Sequence, residues 1–270
     1  MGTDCYVVST VKYLTPSDEP PAMMLREPLE GEVKKKFNWD QREVRLHDIR
    51  GHETEFALDT DGFEVIDIDF DAPPQHDREA VVGTYYATVC DRVKAELGAS
   101  RVIAFDHNYR VPGAKYDTVA SKPAYFIHAD YTDISAPQRV RDLLPEDEAE
   151  RRLKKRYAFI NFWAPIKHPA EDLPLGVCRA GSIERGDFAL CKMLWPGRDG
   201  EIYMFHHNPN HEWFYLSGME PNQAYLFKCF DSADDGRARY VPHTAFEDPS
   251  AQPGAKPRES VEVRTIAFFD

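Results

Sequence analysis

The sequence predicts a mainly β protein with flanking helices, organised around a double-stranded β-helix core of the jelly-roll, cupin-like kind. Three observations carry that expectation. The C-terminal half breaks into short apolar runs separated by Gly, Pro and Asp-Gly turns. A clearly periodic helix lies before residue 100. No fixed-period repeat runs through the chain. With 270 residues, 42% hydrophobic and 12% aromatic, there is apolar surface enough for a sizeable core, which excludes wholesale disorder. One domain over residues 1–270 is expected, with an N-terminal α+β extension (1–100) packed on a jelly-roll core (101–270).

Taken in order, Tyr6 to Tyr13 reads as a strand, Thr15 to Pro21 as a Pro-rich loop, and Lys34 to Lys36 as a solvated turn. Glu43 to Ile49 and Phe56 to Leu58 are short and strand-like, and Asp59-Thr60-Asp61-Gly62 carries turn chemistry. From Asp77 to Leu97, apolar residues at Ala80, Val81, Tyr85, Val89 and Val93 recur at helical spacing, and Gly98 ends the run. A second helix is predicted over Ala136 to Arg156, acidic then basic along its length, with Pro145 splitting it. Strands follow at Tyr157 to Trp163, Phe188 to Leu194, Ile202 to Phe205, Trp213 to Leu216, Ala224 to Phe230, Arg237 to Val241 and Glu259 to Phe269.

Charge and cysteine usage narrow the function classes. The net charge of −13 repels phosphate backbones and anionic membranes, so neither nucleic acid nor membrane is an expected partner. No apolar run approaches the ~20 residues of a membrane span, and the N-terminus lacks the pattern of a signal peptide. Cys5, Cys90, Cys178, Cys191 and Cys229 are odd in number and widely spaced, unlike a disulfide framework or a thiolate zinc site. They are expected to be reduced and mostly buried, in a cytoplasmic protein.

The sharpest local feature is Tyr125-Phe126-Ile127-His128-Ala129-Asp130. On a strand, His128 and Asp130 leave the same face. With one more histidine they make the 2-His-1-carboxylate triad that leaves positions open on Fe(II). Candidates for that histidine lie in the C-terminal half. His206 and His207 are adjacent and point to opposite faces. His211 competes with His243, which is preferred because it follows a turn-strand unit and precedes Arg258 with only a loop between. Arg258 and Ser260 share a face at period two, and a guanidinium fork beside a hydroxyl suits the distal carboxylate of a dicarboxylic acid chelating the metal from its other end.

An H-x-D, a late His and an R-x-S on the final strand resemble the Fe(II)/2-oxoglutarate-dependent dioxygenases. More narrowly, Asn38-Trp39-Asp40, Phe105-Asp106-His107 with Arg110, His128-Ala129-Asp130-Tyr131, Ile160-Asn161-Phe162-Trp163, Asn210-His211-Glu212-Trp213-Phe214, Leu226-Phe227-Lys228-Cys229-Phe230-Asp231-Ser232, Pro242-His243-Thr244-Ala245-Phe246 and Arg258-Glu259-Ser260 resemble the CmcJ/AsaB/gibberellin-desaturase-like hydroxylase/desaturase family. The likeness runs from Asn38 to the C-terminus. That family often has Arg after its Asn-x-Trp, where this chain has Ala164, so a pocket arginine is expected to be missing.

The resemblance implies an oxygenase of secondary metabolism with Fe(II) at His128, Asp130 and His243, 2-oxoglutarate held by Arg258 and Ser260, and O2 as second cosubstrate. It hydroxylates, desaturates or oxidatively cyclises a small molecule, releasing succinate and CO2. The family likeness adds Arg110, Asn161 and Trp163 as candidate substrate contacts. On the last strand Arg264, Ile266 and Phe268 share the face of Ser260. They are expected to meet a substrate carboxylate (Arg264) and its apolar body (Ile266, Phe268). The competing readings are a metal-binding cupin-like protein without turnover and an iron oxidase that does not use 2-oxoglutarate.

Overall fold

Apolar alternation along the chain is resolved into two curled sheets that face one another. A computed structural model describes residues 5–25, 35–112, 123–195 and 197–270; Lys34 lies outside the described residues. The strands are β1 (Tyr6–Leu14), β2 (Ala22–Met24), β3 (Trp39–Asp48) and β4 (Phe63–Asp67), followed by the short helix α1 (Arg78–Ala80), a π turn (Val81–Tyr85) and α2 (Tyr86–Leu97). Next come β5 (Arg101–Arg110), β6 (His128–Ala129), α3 (Ser135–Leu143) and α4 (Glu146–Leu153). The remaining strands are β7 (Tyr157–Pro165), β8 (Leu175–Cys178), β9 (Phe188–Trp195), β10 (Arg198–Phe205), β11 (Trp213–Tyr215), β12 (Gln223–Asp231), β13 (His243–Ala245) and β14 (Ser260–Phe268).

The major sheet runs β1-β3-β11-β8-β13-β6-β10-β9-β2 and the minor sheet β4-β12-β7-β14-β5. Strand β7 is buried along its whole length because both faces are covered. Its Phe159 and Trp163 point into the core between the sheets, while Ala158, Ile160, Phe162 and Ala164 pack under Val81, Tyr85, Val89 and Val93 of the helical segment. Strand β14 divides in the same way, with Ile266 and Phe268 inside and Val261 and Val263 against the helix. The inner faces of β7 and β14 therefore look across at the major sheet.

Several expectations are met closely. Gly98 ends α2 in the left-handed region at φ 61°, and Pro145 stands at the start of α4, parting it from α3. Others need correction. Phe56 to Leu58 is not a strand, and neither is Arg237 to Val241. That second segment is held by the buried Lys228, whose Nζ donates to the Ala238 carbonyl, and by the Lys228 carbonyl, which accepts from Val241 N–H. Side-chain and turn contacts replace the ladder there, and strand pairing resumes only at His243. Nor is residue 100 a break in the architecture. Strands β1 and β3 pair with each other and β3 continues onto β11, while β4 pairs with β12, so the N-terminal strands are part of both sheets.

Candidate active site

The site begins with a register. His243 of β13 is the direct cross-strand partner of His128 of β6, so their rings leave the same face, 4.4 Å apart between centroids. Asp130 follows two residues after His128. One ligand atom from each of His128, Asp130 and His243 can be chosen so that all lie within 4.8 Å of one another. His128 Nε2 is 3.6 Å from Asp130 Oδ1.

Both imidazoles are oriented by backbone carbonyls. His128 Nδ1–H donates to Phe126 O at 2.9 Å and His243 Nδ1–H to Val241 O at 3.1 Å. A carbonyl only accepts, so this tautomer leaves each Nε2 lone pair free to face Asp130. Burial, helped by the neighbouring His243, lowers the His128 pKa to about 4, and burial lowers that of His243 as well. Neutral imidazoles are the form a metal takes.

Asp130 is held from the minor sheet. Its Oδ2 accepts from Asn161 Nδ2 at 2.9 Å, lies 3.3 Å from Arg264 Nε, and receives the Cys229 thiol at 3.7 Å. Asn161 and Arg264 are register partners on β7 and β14. Burial alone would raise the carboxyl's pKa; Arg264, the histidines and the Asn161 amide outweigh it and hold the group ionised well below the usual carboxylate range. The set is two neutral imidazoles and one anionic oxygen, which fits a divalent iron.

A second polar group lies at the mouth of β14. Arg258 is buried (4% exposed) over the Trp163 ring, 5.4 Å from its centroid. Its backbone N–H donates to Asp172 Oδ1 and one terminal nitrogen to Leu173 O at 2.5 Å. Among the described residues its Nε and the Ser260 hydroxyl, 0% exposed, have no hydrogen-bond partner. Burial, with the like charge of Arg110, pushes the Arg258 pKa down to about 10. The buried Arg258, the half-buried Arg110 and the Ser260 hydroxyl fit a carboxylate between them, because an anion relieves both the repulsion and the orphaned donors.

Above the triad opens a cavity of about 1110 Å³, lined among others by Trp39, Phe126, His128, Asp130, Arg139 and Arg264. A β-bulge at Phe105 turns Phe105 into the core between the sheets while the next residue, Asp106, still lines the cavity.

The family described as "Oxidoreductase/YMDC permease-like domain" matches residues 11–268. The hydroxylase/desaturase efuI of Hormonema carpetanum is 30% identical, over 98% of this chain and 95% of its own length. The Fe(II)/2-oxoglutarate-dependent dioxygenase nvfI of Aspergillus novofumigatus is 31% identical over 89% of this chain and 88% of its own. A solved structure of the iron and alpha-ketoglutarate-dependent endoperoxidase NvfI superposes with a TM-score of 0.87 at 28% identity, covering 98% of each chain. The chain belongs to the hydroxylase/desaturase family of Fe(II)/2-oxoglutarate-dependent dioxygenases.

This oxygenase therefore uses Fe(II), 2-oxoglutarate and O2. Within it, several site residues expected from the sequence are placed differently. His211 is not near the triad: its Nε2 is 3.1 Å from Asp187 and its Nδ1 3.0 Å from the Tyr13 hydroxyl, a structural polar cluster. His206 bonds Leu14 O. Arg264 does line the cavity, yet its charge is met by Asp130, Asp106 and Glu262 at 3.1–3.3 Å, so it has no charge to spare for a substrate carboxylate. Ile266 and Phe268 are 0% exposed in the core and do not line the cavity. Asn161 serves Asp130 and Trp163 underlies Arg258, whereas Arg110 does line the cavity. Ala164 faces the helix side, packed with Val261 and Val263, so an arginine there would point away from the site. His243 is on β13 of the major sheet and Arg258 lies two residues before β14 of the minor sheet, so they are not on neighbouring strands. Among the described residues no helix is long and apolar enough to cross a membrane.

Sequence reading missed Phe126 as a wall of the site although it precedes His128 by two residues. Its ring lies 4.7 Å from that of His128, and the same period that pairs His128 with Asp130 would have included it. Arg139 carried no signal, since nothing local distinguishes one arginine of a charged helix from the next.

Proposed function

We propose that His128, Asp130 and His243 hold Fe(II), and that Arg258 and Ser260 bind the distal carboxylate of 2-oxoglutarate, in a cytoplasmic oxygenase that oxidises an unactivated C–H bond of a small carboxylate-bearing molecule. The observation that carries the reading is the convergence of two carbonyl-oriented, neutral imidazoles and one clamped carboxylate within 4.8 Å. Bound there, Fe(II) with its two cosubstrates supplies the oxidising power, with succinate and CO2 as by-products. The chain's own share is placement and exclusion of water. The carbonyls of Phe126 and Val241 fix both ring tautomers. Asn161 and Arg264 engage Asp130 Oδ2 and leave Oδ1 toward the histidines. Arg258, stacked on Trp163, holds its fork rigid for a second carboxylate. A net charge of −13 favours a small substrate over a polyanion.

The test is metal titration beside product analysis. Wild-type protein is expected to bind one Fe(II) and form succinate from 2-oxoglutarate, and Ala at His128, Asp130 or His243 is expected to abolish both. Ala at His206 or His211 is expected to spare metal binding. Loss of metal binding in His211→Ala with retention in His243→Ala would refute the assignment. Metal binding by wild type without any succinate would favour a non-oxygenase cupin-like protein.

A further inference from the structure

Among the described residues the cavity is lined by five cations with unequal duties. Arg264 is neutralised by three carboxylates. Arg110 is the cross-strand partner of Ser260 and neighbours Arg258, which places it on the cosubstrate side. Lys12 reaches over the Tyr125 ring at 5.9 Å, and Lys192 is exposed on β9. Among the described residues Lys12, Lys192 and Arg139 of α3 have no carboxylate partner, and of these three only Arg139 carries a planar guanidinium fork. Its guanidinium lies 5.0 Å over the Phe105 ring, and it has no carboxylate or hydrogen-bond partner among the described residues. Of the acidic residues that line the cavity, Asp106 and Asp130 face Arg264, Asp142 accepts from Gln138 and Glu201 from Thr132, while Asp199 lies on β10.

We infer that Arg139 is the anchor for the substrate's carboxylate, and that the rest of the substrate is an apolar ring system lying against Phe126 and Trp39. The inference rests on the metal-site reading above and moves the expected carboxylate contact from Arg264 to Arg139. Phe105, beneath the Arg139 fork, packs on Phe159 and Tyr131, and Tyr131 directly follows Asp130. One aromatic group thus separates the fork from the metal carboxylate. On the other side of the triad, Phe126 packs tilted against His128 and Trp39 stacks on Phe126, at 4.7 and 5.4 Å. A half-buried guanidinium held over a ring presents a planar fork of donors, the geometry that meets a carboxylate bidentately. A cavity of about 1110 Å³ admits a body of several fused rings, since drug-sized ligands fill roughly 300–1,000 Å³.

The experiment uses two probes of one shape, 2-naphthoate and neutral 2-naphthamide, titrated calorimetrically into the whole chain under anaerobic conditions. It is run with Mn(II) and saturating 2-oxoglutarate, and again without metal. The acid is expected to bind wild type about tenfold or more tightly than the amide, as a charge-assisted contact in a partly desolvated site requires. Arg139→Gln is expected to bind both alike, and Arg139→Lys to recover part of the preference, with 2-oxoglutarate affinity unchanged in each. Equal binding of the two probes by wild type overturns the inference. So does a preference that survives in Arg139→Gln but vanishes in Lys12→Gln or Lys192→Gln. Failure of the metal-site reading shows separately, as absent Mn(II) uptake by wild type, and the metal-free titration still decides the role of Arg139.

Discussion

The two oxygens of Asp130 have separate tasks, and that division sets what single substitutions should do. Oδ2 is occupied by Asn161, Arg264 and the Cys229 thiol, so Oδ1 alone faces the histidines. Arg264→Met removes the largest opposing charge. It is expected to weaken Fe(II) binding by about 10–100-fold, the usual cost of losing a partner that orients a metal ligand, and Arg264→Lys to restore part of it. Mn(II) titration followed by electron paramagnetic resonance checks this, and unchanged affinity in Arg264→Met would show that Asn161 suffices. At the cosubstrate position, Arg258→Ala is expected to raise the 2-oxoglutarate requirement by about 2–5 kcal/mol of lost binding, because it strips a buried charge pair of one member. Ser260→Ala is expected to cost about 1–3 kcal/mol, the range for one hydrogen bond to a charged group. Titration of succinate formation against 2-oxoglutarate separates the two; equal effects would make Ser260 a member of the pair.

At the scale of elements, the cavity wall depends on the hairpin of β9 and β10. Gly200 pairs with Met193 across that hairpin, and Trp195 lies over it so closely that a Cβ at position 200 would come within 2.6 Å of Trp195 Cζ3. The absent side chain lets the indole lie flat as part of the lining. Gly200→Ala must displace Trp195, and the fold is expected to survive because position 200 lies toward the turn end of the hairpin, outside the β10 residues that pair with β6. Affinity for 2-naphthoate should change while 2-oxoglutarate affinity does not, measured by the same calorimetry; a shift in both would mean that the whole hairpin moves. Strand β13 illustrates the reverse dependence. His243 reaches its position because Lys228, with 0% exposure, ties Asp231, Asp59 and the Ala238 carbonyl together just upstream.

For the whole molecule, acid–base balance outside the site sets the pH range of stability. Glu64 of β4 keeps one carboxylate oxygen buried without a partner among the described residues, and burial, reinforced by Glu96, raises its pKa to about 7. Its unfolded value is near 4.5, so between those values the native state binds the extra proton. The stability this confers is complete below pH 4.5 and is lost as pH rises through 7. Glu64→Gln is therefore expected to leave stability near pH 5 almost unchanged and to raise it at pH 8 by about 1 kcal/mol, a figure reduced for partial solvent screening. Urea midpoints at the two pH values check this, and an equal gain at both would contradict it.

The sequence by itself determined the fold class, the helix ended by Gly98, most C-terminal strands, and the motif residues His128, Asp130, His243, Arg258 and Ser260. Each is a local or periodic signal: a spacing of two, a turn glycine, an ordered set of ligand types. Tertiary structure alone decided which side chains those residues meet. Residue His211 is as legible as His243 along the chain, yet only strand order puts β13 beside β6 and seats His211 against Asp187. Period two put Arg264, Ile266 and Phe268 on one face with Ser260, as observed, but it could not say where along β14 the cavity gives way to core. Nor could it show that Asp130, Asp106 and Glu262 already surround Arg264 with negative charge while Arg139, from a helix 125 residues earlier, has no carboxylate partner among the described residues. Charge pairing is a property of distances in space, and those distances follow from sheet register and from the bulge at Phe105.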